Sequence, residues 1–473
     1  MSSLQVVLLI RFGETMEDNI TRQKETIKFR RYLLCSLLAV VVFIGVYLTS
    51  DRDNVVSLTS TNRFIDERVP LYKNRTKICA INDECDQNDM LEKTRLNETF
   101  NFVGSQTHSG ELAQSDRCEG ECLDSVNSIA FIKTHKTGST TIGHIMNRFG
   151  FQRNLSFVLN KKSSNGHLVY TKITKDSPKN LFLKPLDVKK GDYERYKYDM
   201  ITVHVRYFRK AMDTFMKPGT RYITILRYPG TQFESAFVHF QMDDAFPILV
   251  KNRLKSASIN DRLKEWFKHP KQYLEKLKQL KWEGQVGLRY YYAQNNQLFD
   301  LGLDVRYHNN ETMVRDYIAK LDEELDMVLI TEYIEESLLV MKKQFSWQLE
   351  DILFVPKNQR TEQAKLGEIS QSLRHKIDNW NRLDVRLYQH FNESLWRKVK
   401  EYGPNFDQDL ANYRDRLADT FDRCTEGTYV FRQGRYFQNI NYKPAKDSDQ
   451  LCMLIAEHKR SLMKRVRTKQ VNG

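Results

Sequence analysis

The sequence predicts an α/β protein with a doubly wound parallel sheet behind a single N-terminal transmembrane helix. Beyond residue 125, short apolar segments rich in β-branched residues alternate with segments of helical periodicity. One apolar segment ends in a glycine- and hydroxyl-rich turn, which is typical of a strand-to-helix junction in such a sheet. Near the N-terminus, nineteen consecutive residues carry no charge. A hydrophobic content of 40% with 28% charged residues excludes a disordered or low-complexity chain.

The charge-free run at residues 32–50 has the length of a membrane span. Nineteen residues of α-helix extend roughly 29 Å, which matches the hydrocarbon core of a bilayer. Lys24, Lys28, Arg30 and Arg31 lie before the run, and the mixed sequence Asp51-Arg52-Asp53 follows it. The positive-inside rule therefore predicts a type II signal anchor, with the short N-terminus in the cytoplasm and the rest of the chain in the lumen.

A luminal location gives meaning to the sequons and cysteines beyond the span. Five N-x-[ST] sequons lie there, at Asn74, Asn97, Asn154, Asn310 and Asn392. Six cysteines also lie there, at Cys79, Cys85, Cys118, Cys122, Cys424 and Cys452. An even number suits disulfide bonds, although the pairing stays open. Because no second His or Cys pair accompanies Cys118 and Cys122, we predict no metal site.

Changes of composition divide the chain into five predicted segments. They are a cytoplasmic tail (1–31), the anchor (32–50), a polar luminal stem (51–124), a catalytic domain (125–420) and a cysteine-containing basic C-terminal extension (421–473). Residues 459–469 include six basic and no acidic side chains, so we interpret the end of the extension as a solvated charged tail. The net charge of +14 suits a plain basic surface, nucleic acid, an anionic membrane or a polyanionic substrate.

Four apolar segments of the catalytic domain are predicted strands. They are SIAFIK (128–133), MITVHVR (200–206), YITILR (222–227) and MVLI (327–330). After the first, Ile142, Ile145, Met146 and Phe149 follow the i, i+3, i+4, i+7 spacing of a buried helix face. Residues 373–399 predict one long amphipathic helix.

The first predicted strand runs into the P-loop-like segment KTHKTGSTT at residues 133–141. Free N–H groups and the dipole at a helix N-terminus bind phosphate-like anions, and a glycine lets an anion approach closely. The segment differs from the nucleoside triphosphatase motif, in which lysine follows the second glycine. An ordinary Ser/Thr helix cap is the alternative. The candidate anion ligands are Lys133, Lys136, Thr137, Gly138, Ser139, Thr140 and Thr141.

A second candidate anion site follows the third predicted strand, in YITILRYPGTQFES. Arg227 lies at the strand end and Pro229 at a helix start, where proline is favoured. At about 100° per residue, Ser235 points about 200° from Phe233 and Phe237, hence away from the apolar stripe. Arginine and serine in these positions predict an anion clamp; a surface arginine and a solvated serine are the alternative. The two motifs together predict a ligand with two separated anionic groups.

These segments resemble the Golgi galactose-3-O-sulfotransferase family. KTHKTGSTT is similar to the 5′-phosphosulfate loop of sulfotransferases and LRYPGTQFES to their 3′-phosphate motif, while RYYYAQNNQLFDLG and LITEYIEESLLVMKK extend the resemblance over about residues 127–396. The resemblance implies the sulfotransferase fold and the donor 3′-phosphoadenosine 5′-phosphosulfate (PAPS), with no metal ion. It implies that Lys136 neutralises the leaving phosphate, that residues 137–141 cradle the 5′-phosphate, and that Arg227 and Ser235 hold the 3′-phosphate.

The acceptor of such a transfer, a sugar hydroxyl, needs a general base at neutral pH. Histidine is the natural choice because its reference pKa lies near 6.5. We predict His204 as the catalytic base, Lys136 as the catalytic electrophile and His135, inside the loop, as the residue that orients the donor; a buried structural His204 is the alternative. The run RYYYAQNN at 289–296 contacts the sugar in one interpretation and is half-buried packing in the other.

The sequence and the resemblance together predict a Golgi type II membrane enzyme that transfers sulfate from PAPS to a galactose hydroxyl, most simply the 3-OH. The expected partners are a galactose-containing glycolipid or glycan and the Golgi membrane, through one transmembrane helix; no nucleic acid is expected. The alternatives are a carbohydrate sulfotransferase of other regiochemistry, a luminal kinase, and a catalytically inactive glycan-binding paralogue.

Overall fold

The computed structural model describes residues 125–161, 181–186, 188, 196–282, 285–360, 369–433, 437–446 and 448–472. The chain divides into two units, Met1–Met90 and Leu91–Gly473, and all described residues belong to the second. The predicted tail, anchor and stem lie outside the described residues, as do Asn74, Asn97 and four of the predicted luminal cysteines. Within the described ranges, no helix combines the length and the apolar character that a membrane crossing requires.

Strands and helices alternate through the described part of the chain. The strands are β1 (Ile129–Ile132), β2 (Met200–Ile201), β3 (Arg221–Leu226), β4 (Lys281–Trp282), β5 (Gln285–Val286), β6 (Met327–Ile330), β7 (Gln359–Arg360), β8 (Thr425–Gln433) and β9 (Phe437–Pro444). The first helices are α1 (Ser139–Gln152), α2 (Arg209–Met212), α3 (Pro229–His239), α4 (Ile248–Arg253), α5 (Ile259–Trp266), α6 (Pro270–Leu277), α7 (Leu288–Tyr292) and α8 (Asn296–Asp300). The later helices are α9 (Glu311–Glu324), α10 (Ile334–Gln344), α11 (Leu349–Ile352), α12 (Gln371–Trp380), α13 (Arg382–Tyr402), α14 (Phe406–Cys424), α15 (Gln450–Ala456) and α16 (Lys459–Asn472).

Four parallel strands form the central sheet, in the order β2-β1-β3-β6. Ile129 of β1 pairs with Met200 of β2 and with Arg221 of β3, and Ile223 of β3 pairs with Met327 of β6. β1 and β6 are buried along their whole length, as their uninterrupted apolar sequences require. The prediction of an α/β protein with a parallel sheet is confirmed. Because β2 and β3 lie on opposite sides of β1, the strand order reverses there, which is where such sheets bind ligands.

The predicted strand at 200–206 is wrong in extent, because ladder pairing ends after Met200–Ile201. The residue after β2, Thr202, bonds to α1 instead of to β1: its Oγ1 donates to Asn147 Oδ1 at 2.6 Å. The Arg206 guanidinium then donates to the Gly302 carbonyl at 2.8 Å and to the Leu303 carbonyl at 2.7 Å. These contacts draw the chain away from β1, so the segment that contains the predicted base is irregular.

The predicted single helix at 373–399 is also wrong, because α12 and α13 are separate helices that meet at Asn381. The backbone leaves helical geometry there, with φ −109° and ψ 32°. The buried Asn381 side chain accepts the N–H of Asn295 at 3.0 Å, which is a tertiary contact that helical periodicity does not encode.

The C-terminal extension begins inside a helix, since the predicted boundary between residues 420 and 421 falls within α14. A disulfide bond joins Cys424, at the end of α14, to Cys452 in α15. The sequence left this pairing open. The bond links α15 to the end of a helix that packs against α10 of the sheet domain.

The last helix, α16, packs on α1, so the interpretation of this region as a solvated tail is wrong. Leu462 and Val466 are buried at helical spacing, and Val466 belongs to the core that surrounds the sheet. Gln470 accepts the N–H of Phe157 and donates to its carbonyl, both at 2.8 Å. The basic residues lie on the remaining faces of a docked amphipathic helix.

Candidate active site

The carboxyl ends of the four parallel strands bring the predicted site residues to one edge of the sheet. The loop at 133–138 follows β1, His204 follows β2 and Arg227 follows β3. After β6, Thr331 Oγ1 lies within hydrogen-bonding distance of the Thr137 carbonyl, at 2.7 Å, and of the last carbonyl of β3, at 2.9 Å. The loop is therefore attached to the ends of β3 and β6 as well as to β1.

Two residues of this loop are left-handed. Gly138 has φ 73°, which costs glycine little, and Lys136 has φ 63°, which is strained for a residue with a Cβ. Internal bonds hold the loop in this shape: Ser139 Oγ donates to the Thr134 carbonyl at 2.7 Å, and the hydroxyls of Thr134 and Thr137 bond at 2.8 Å. Among the described residues no side chain caps α1, so its positive dipole end is not offset.

The predicted hydroxyl ligands of the loop differ in exposure. Thr137, Ser139 and Thr141 are buried, and the Thr141 hydroxyl accepts the N–H of Lys357 at 3.2 Å. Thr140 is half-buried. An anion at this loop would therefore meet main-chain N–H groups, Thr140 and Lys136 more directly than the three buried hydroxyls or Lys133, whose pKa is lowered by burial.

The guanidinium of Arg227 reaches the loop, which brings the two predicted anion motifs together. Its NH1 donates to the Lys136 carbonyl at 3.3 Å, and its Nε donates to Thr231 Oγ1 at 3.0 Å. Arg227 is half-buried, and Ser235 is buried on α3. Neither side chain is therefore the solvated surface group of the alternative interpretation.

A carboxyl group lies beside this arginine. Glu332 Oε1 accepts the N–H of Tyr228 at 3.0 Å, and Tyr388 donates to its Oε2 at 3.2 Å. Burial raises the pKa of Glu332, and the Arg227 guanidinium opposes part of that rise.

The two predicted histidines stack on each other, with ring centroids 4.3 Å apart and an interplanar angle of 14°. His204 Nδ1 lies 3.2 Å from the Lys133 carbonyl, an acceptor, so Nδ1 carries the hydrogen and Nε2 is the acceptor of the neutral ring. His135 Nδ1 lies 2.8 Å from Oδ2 of Asp300, which also accepts the His135 main-chain N–H at 2.7 Å. His204 is half-buried and His135 is buried, so the more accessible imidazole is His204.

Helix α8 connects the arginine clamp to the histidine pair. Gln297 accepts the N–H of Arg227 and donates to its carbonyl, both at 2.8 Å. Asp300, at the other end of this short helix, holds His135. Asp384 of α13 caps α8 by accepting the N–H groups of Gln297 and Leu298, both at 2.9 Å. Burial raises the pKa of Asp384 to about 7. One short helix therefore sets the positions of both halves of the site.

The sequence analysis missed this supporting role of the run at 289–296 and the residues after it. Tyr292 is buried and packs on the His135 ring, with the two ring centroids 4.4 Å apart. Gln232 donates to the His135 carbonyl at 2.9 Å and to Asn296 Oδ1 at 2.7 Å. The available signal was the density of amides beside aromatic residues, because buried amides must find hydrogen-bond partners.

The C-terminal extension meets the loop on its β2 side, which the sequence did not indicate. Lys357 Nζ donates to the last two carbonyls of α15 at 2.8 and 2.9 Å, and His144 Nε2 lies 2.9 Å from the carbonyl that follows. Burial, with a smaller contribution from the Lys459 ammonium, lowers the pKa of Lys133 to about 7. Burial also lowers the pKa of Lys357 to about 7.

The fold and the site define an α/β protein in which two basic motifs meet at one sheet edge next to a histidine pair. Within the described residues, no group of three or more His, Cys, Asp or Glu side chains is placed to hold a metal ion. Arg227 contacts the loop at the Lys136 carbonyl, and His204 contacts it at the Lys133 carbonyl.

Comparison with known proteins identifies the family. The sequence model of galactose-3-O-sulfotransferases matches residues 97–469, so the match includes the C-terminal extension as well as the predicted catalytic domain. Galactosylceramide sulfotransferase of Mus musculus is 30% identical over 302 residues, 63% of this chain and 64% of that protein. Galactose-3-O-sulfotransferase 3 of Mus musculus is 31% identical over 335 residues, 68% of each chain. The chain belongs to the galactose-3-O-sulfotransferase family.

Proposed function

We propose that this chain transfers the sulfonate group of PAPS to a galactose hydroxyl, the 3-OH, of a glycolipid or glycan. The observation that carries the proposal is the contact between the Arg227 guanidinium and the Lys136 carbonyl, which joins two anion motifs at one sheet edge. The donor has two separated anionic ends, as this arrangement requires. The family membership and the names of the relatives support a galactose acceptor.

The residues present suit the donor. The 5′-phosphate would lie at the N-terminus of α1 against the loop, and the 3′-phosphate would lie at Arg227 and Ser235. Lys136 would place its ammonium at the oxygen between phosphorus and sulfur. That charge matters most as the bond breaks, since negative charge then develops on the leaving phosphate.

The proton of the acceptor hydroxyl goes to His204 Nε2 in this mechanism. The Lys133 carbonyl fixes the tautomer that leaves Nε2 as the acceptor. The galactose oxygen forms a bond to sulfur while the bond from sulfur to the bridging oxygen breaks, and the electron pair of that bond stays with the departing nucleotide. Because β2 and β3 flank β1, acceptor and nucleotide approach the loop from opposite sides.

The decisive experiment uses the whole chain with donor carrying a labelled sulfonate group and a panel of galactosides. We expect label in a 3-O-sulfated galactose, located by mass spectrometry, and loss of transfer in Lys136→Ala. Transfer to another hydroxyl would correct the regiochemistry. Transfer of label from γ-labelled ATP instead would indicate a kinase, and binding of galactosides without any transfer would indicate an inactive paralogue.

We also propose a Golgi membrane location, with one signal anchor at residues 32–50 and a luminal catalytic domain. The charge-free run with its basic cytoplasmic flank supports it. The Cys424–Cys452 disulfide suits an oxidising compartment. Asn154 and Asn310 are exposed sequons, whereas Asn392 is half-buried inside α13, so glycan mapping should find the first two modified more fully than the third.

A further inference from the structure

The Asp300 carboxylate is buried at the end of α8, directly behind the histidine pair. Oδ2 accepts the main-chain N–H of His135 at 2.7 Å and lies 2.8 Å from its Nδ1, and Oδ1 lies 2.9 Å from the same nitrogen. Asn296 Nδ2 donates to Oδ2 at 3.2 Å. Within the described residues, His135 is the ion-pairing partner of this carboxylate.

The His135 ring is held on its faces as well as at its edge. It stacks on His204 and packs on Tyr292, with centroid distances of 4.3 and 4.4 Å. Asp300 holds Nδ1 of His135, and the Lys133 carbonyl holds Nδ1 of His204. The carboxylate therefore fixes the ring against which the proposed base lies.

We infer that Asp300 is a positioning residue for catalysis: it orients His135 and, through the stacked rings, stabilises the His204 imidazolium that forms when the acceptor loses its proton. The inference rests on the proposed function. His135 then acts on the proposed base, in addition to any contact with the donor.

Charge explains why a carboxylate is needed at this position. Cationic residues lie close in sequence to the two histidines: Lys133 and Lys136 belong to the loop that contains His135, and Arg206 lies two residues after His204. Neighbouring cations oppose a second positive charge on an imidazole. Asp300 supplies a negative charge one ring away from His204, where burial limits screening by water.

The test is Asp300→Asn, which keeps the size and removes the charge. We expect turnover to fall roughly 10- to 100-fold, a part of the usual contribution of a general base, with the donor Michaelis constant nearly unchanged. The acid limb of the pH profile should move to lower pH by roughly half a unit, because the base loses its stabilising charge. Asp316→Asn, the same change at an exposed position of α9, should alter none of these quantities.

A merely structural role predicts a different result. If Asp300→Asn lowered turnover but left the acid limb in place, or raised the donor constant tenfold at unchanged turnover, the inference would be wrong. A double-mutant cycle with His135→Phe adds a second test: the Asp300→Asn effect should nearly vanish without the imidazole, and full additivity would contradict the route through His135.

Folding and function are checked in parallel. Binding of the desulfonated nucleotide should be normal in Asp300→Asn; if that variant does not fold, the acid limb of His135→Phe tests the same route. An unaltered chain that transfers no sulfonate refutes the proposed function. Normal transfer by the unaltered chain with an unshifted variant profile refutes the Asp300 inference alone.

Discussion

The two sides of the phosphate-type loop are built on different principles. On the β3 side, neutral amides and hydroxyls hold a permanent cation: Gln297 brackets the Arg227 backbone and Thr231 accepts from its side chain. On the β2 side, two imidazoles stack next to Lys133, whose pKa lies at about 7. An arginine keeps its charge across the physiological pH range, whereas Lys133 can gain or lose a proton near neutrality. In the proposed mechanism, binding of the donor and transfer of the proton take place on different sides of the loop.

The largest effect should come from removing the proposed base on the β2 side. We expect His204→Ala to lower turnover about 10²- to 10⁴-fold, the usual contribution of general base catalysis, and to leave binding of the desulfonated nucleotide intact. Turnover and calorimetric titration measure the two quantities. His375→Ala, at an exposed position of α12, is the matched control. Lost nucleotide binding in His204→Ala, with normal binding but no turnover in His135→Ala, would exchange the roles of the two histidines.

Breaking the β3 side should affect binding rather than the chemical step. Arg227→Ala removes the proposed charge-assisted contact to phosphate, which should cost on the order of 1.5–3 kcal/mol, and Ser235→Ala should weaken donor binding less. The donor Michaelis constant measures both effects, with the exposed Arg315→Ala as the control. An unchanged donor constant in both variants, with a raised acceptor constant, would place the acceptor at the clamp instead.

Lys133, on the β2 side, should contribute to the pH dependence of stability. The folded pKa of Lys133, about 7, lies below its ordinary value of 10.5, so folding favours the neutral amine. Its burial cost is absent above pH 10.5, grows as the pH falls towards 7 and is constant below that. At pH 7.5 we expect Lys133→Met to raise the free energy of unfolding by up to about 4 kcal/mol, with the gain disappearing at alkaline pH. Denaturant unfolding across this pH range measures the gain. A gain that does not change with pH would mean that the lysine is not desolvated. Lys464→Met, at an exposed position of α16, is the control.

The prediction with the smallest expected effect tests whether the C-terminal extension stabilises the β2 side of the site. Gln470→Ala removes both hydrogen bonds to Phe157 and should lower the free energy of unfolding by about 1 kcal/mol. Thr468→Ala, on the exposed face of the same helix, should change little. Equal stability of the two variants in thermal unfolding would mean that α16 is docked by its apolar residues alone.

The strands β1, β3 and β6 could be predicted because each is a short apolar run that only a buried parallel sheet accommodates. The loop could be predicted because Gly138 and the hydroxyl-rich helix start are contiguous in the chain. β2 was predicted too long because its continuation is as apolar as a strand, yet Asn147 bonds Thr202 instead. An apolar sequence pattern indicates that a segment is buried, and a segment that is buried outside a sheet shows the same pattern.

The supporting residues of the site could not be predicted because their partners are remote in the chain. Asp300 lies 165 residues from His135, and Gln470 lies 313 residues from Phe157. The basic composition of α16 predicted a solvated segment, because the residues by which this helix is buried are few. Nothing in a local pattern distinguishes a buried carboxylate with a partner from a solvated one, since the difference lies in what the fold places beside it.

The sequence by itself determined the parallel α/β class, the two anion motifs and their order, because strand runs, glycine turns and helix starts are local properties of the chain. Only the tertiary structure decided that Arg227 reaches the Lys136 carbonyl, that the histidines stack, and that Asp300 lies behind them. These contacts exist because parallel strands carry their carboxyl ends to one edge and α8 closes over it. Burial there excludes water, so each charge must be met by a partner that the fold supplies.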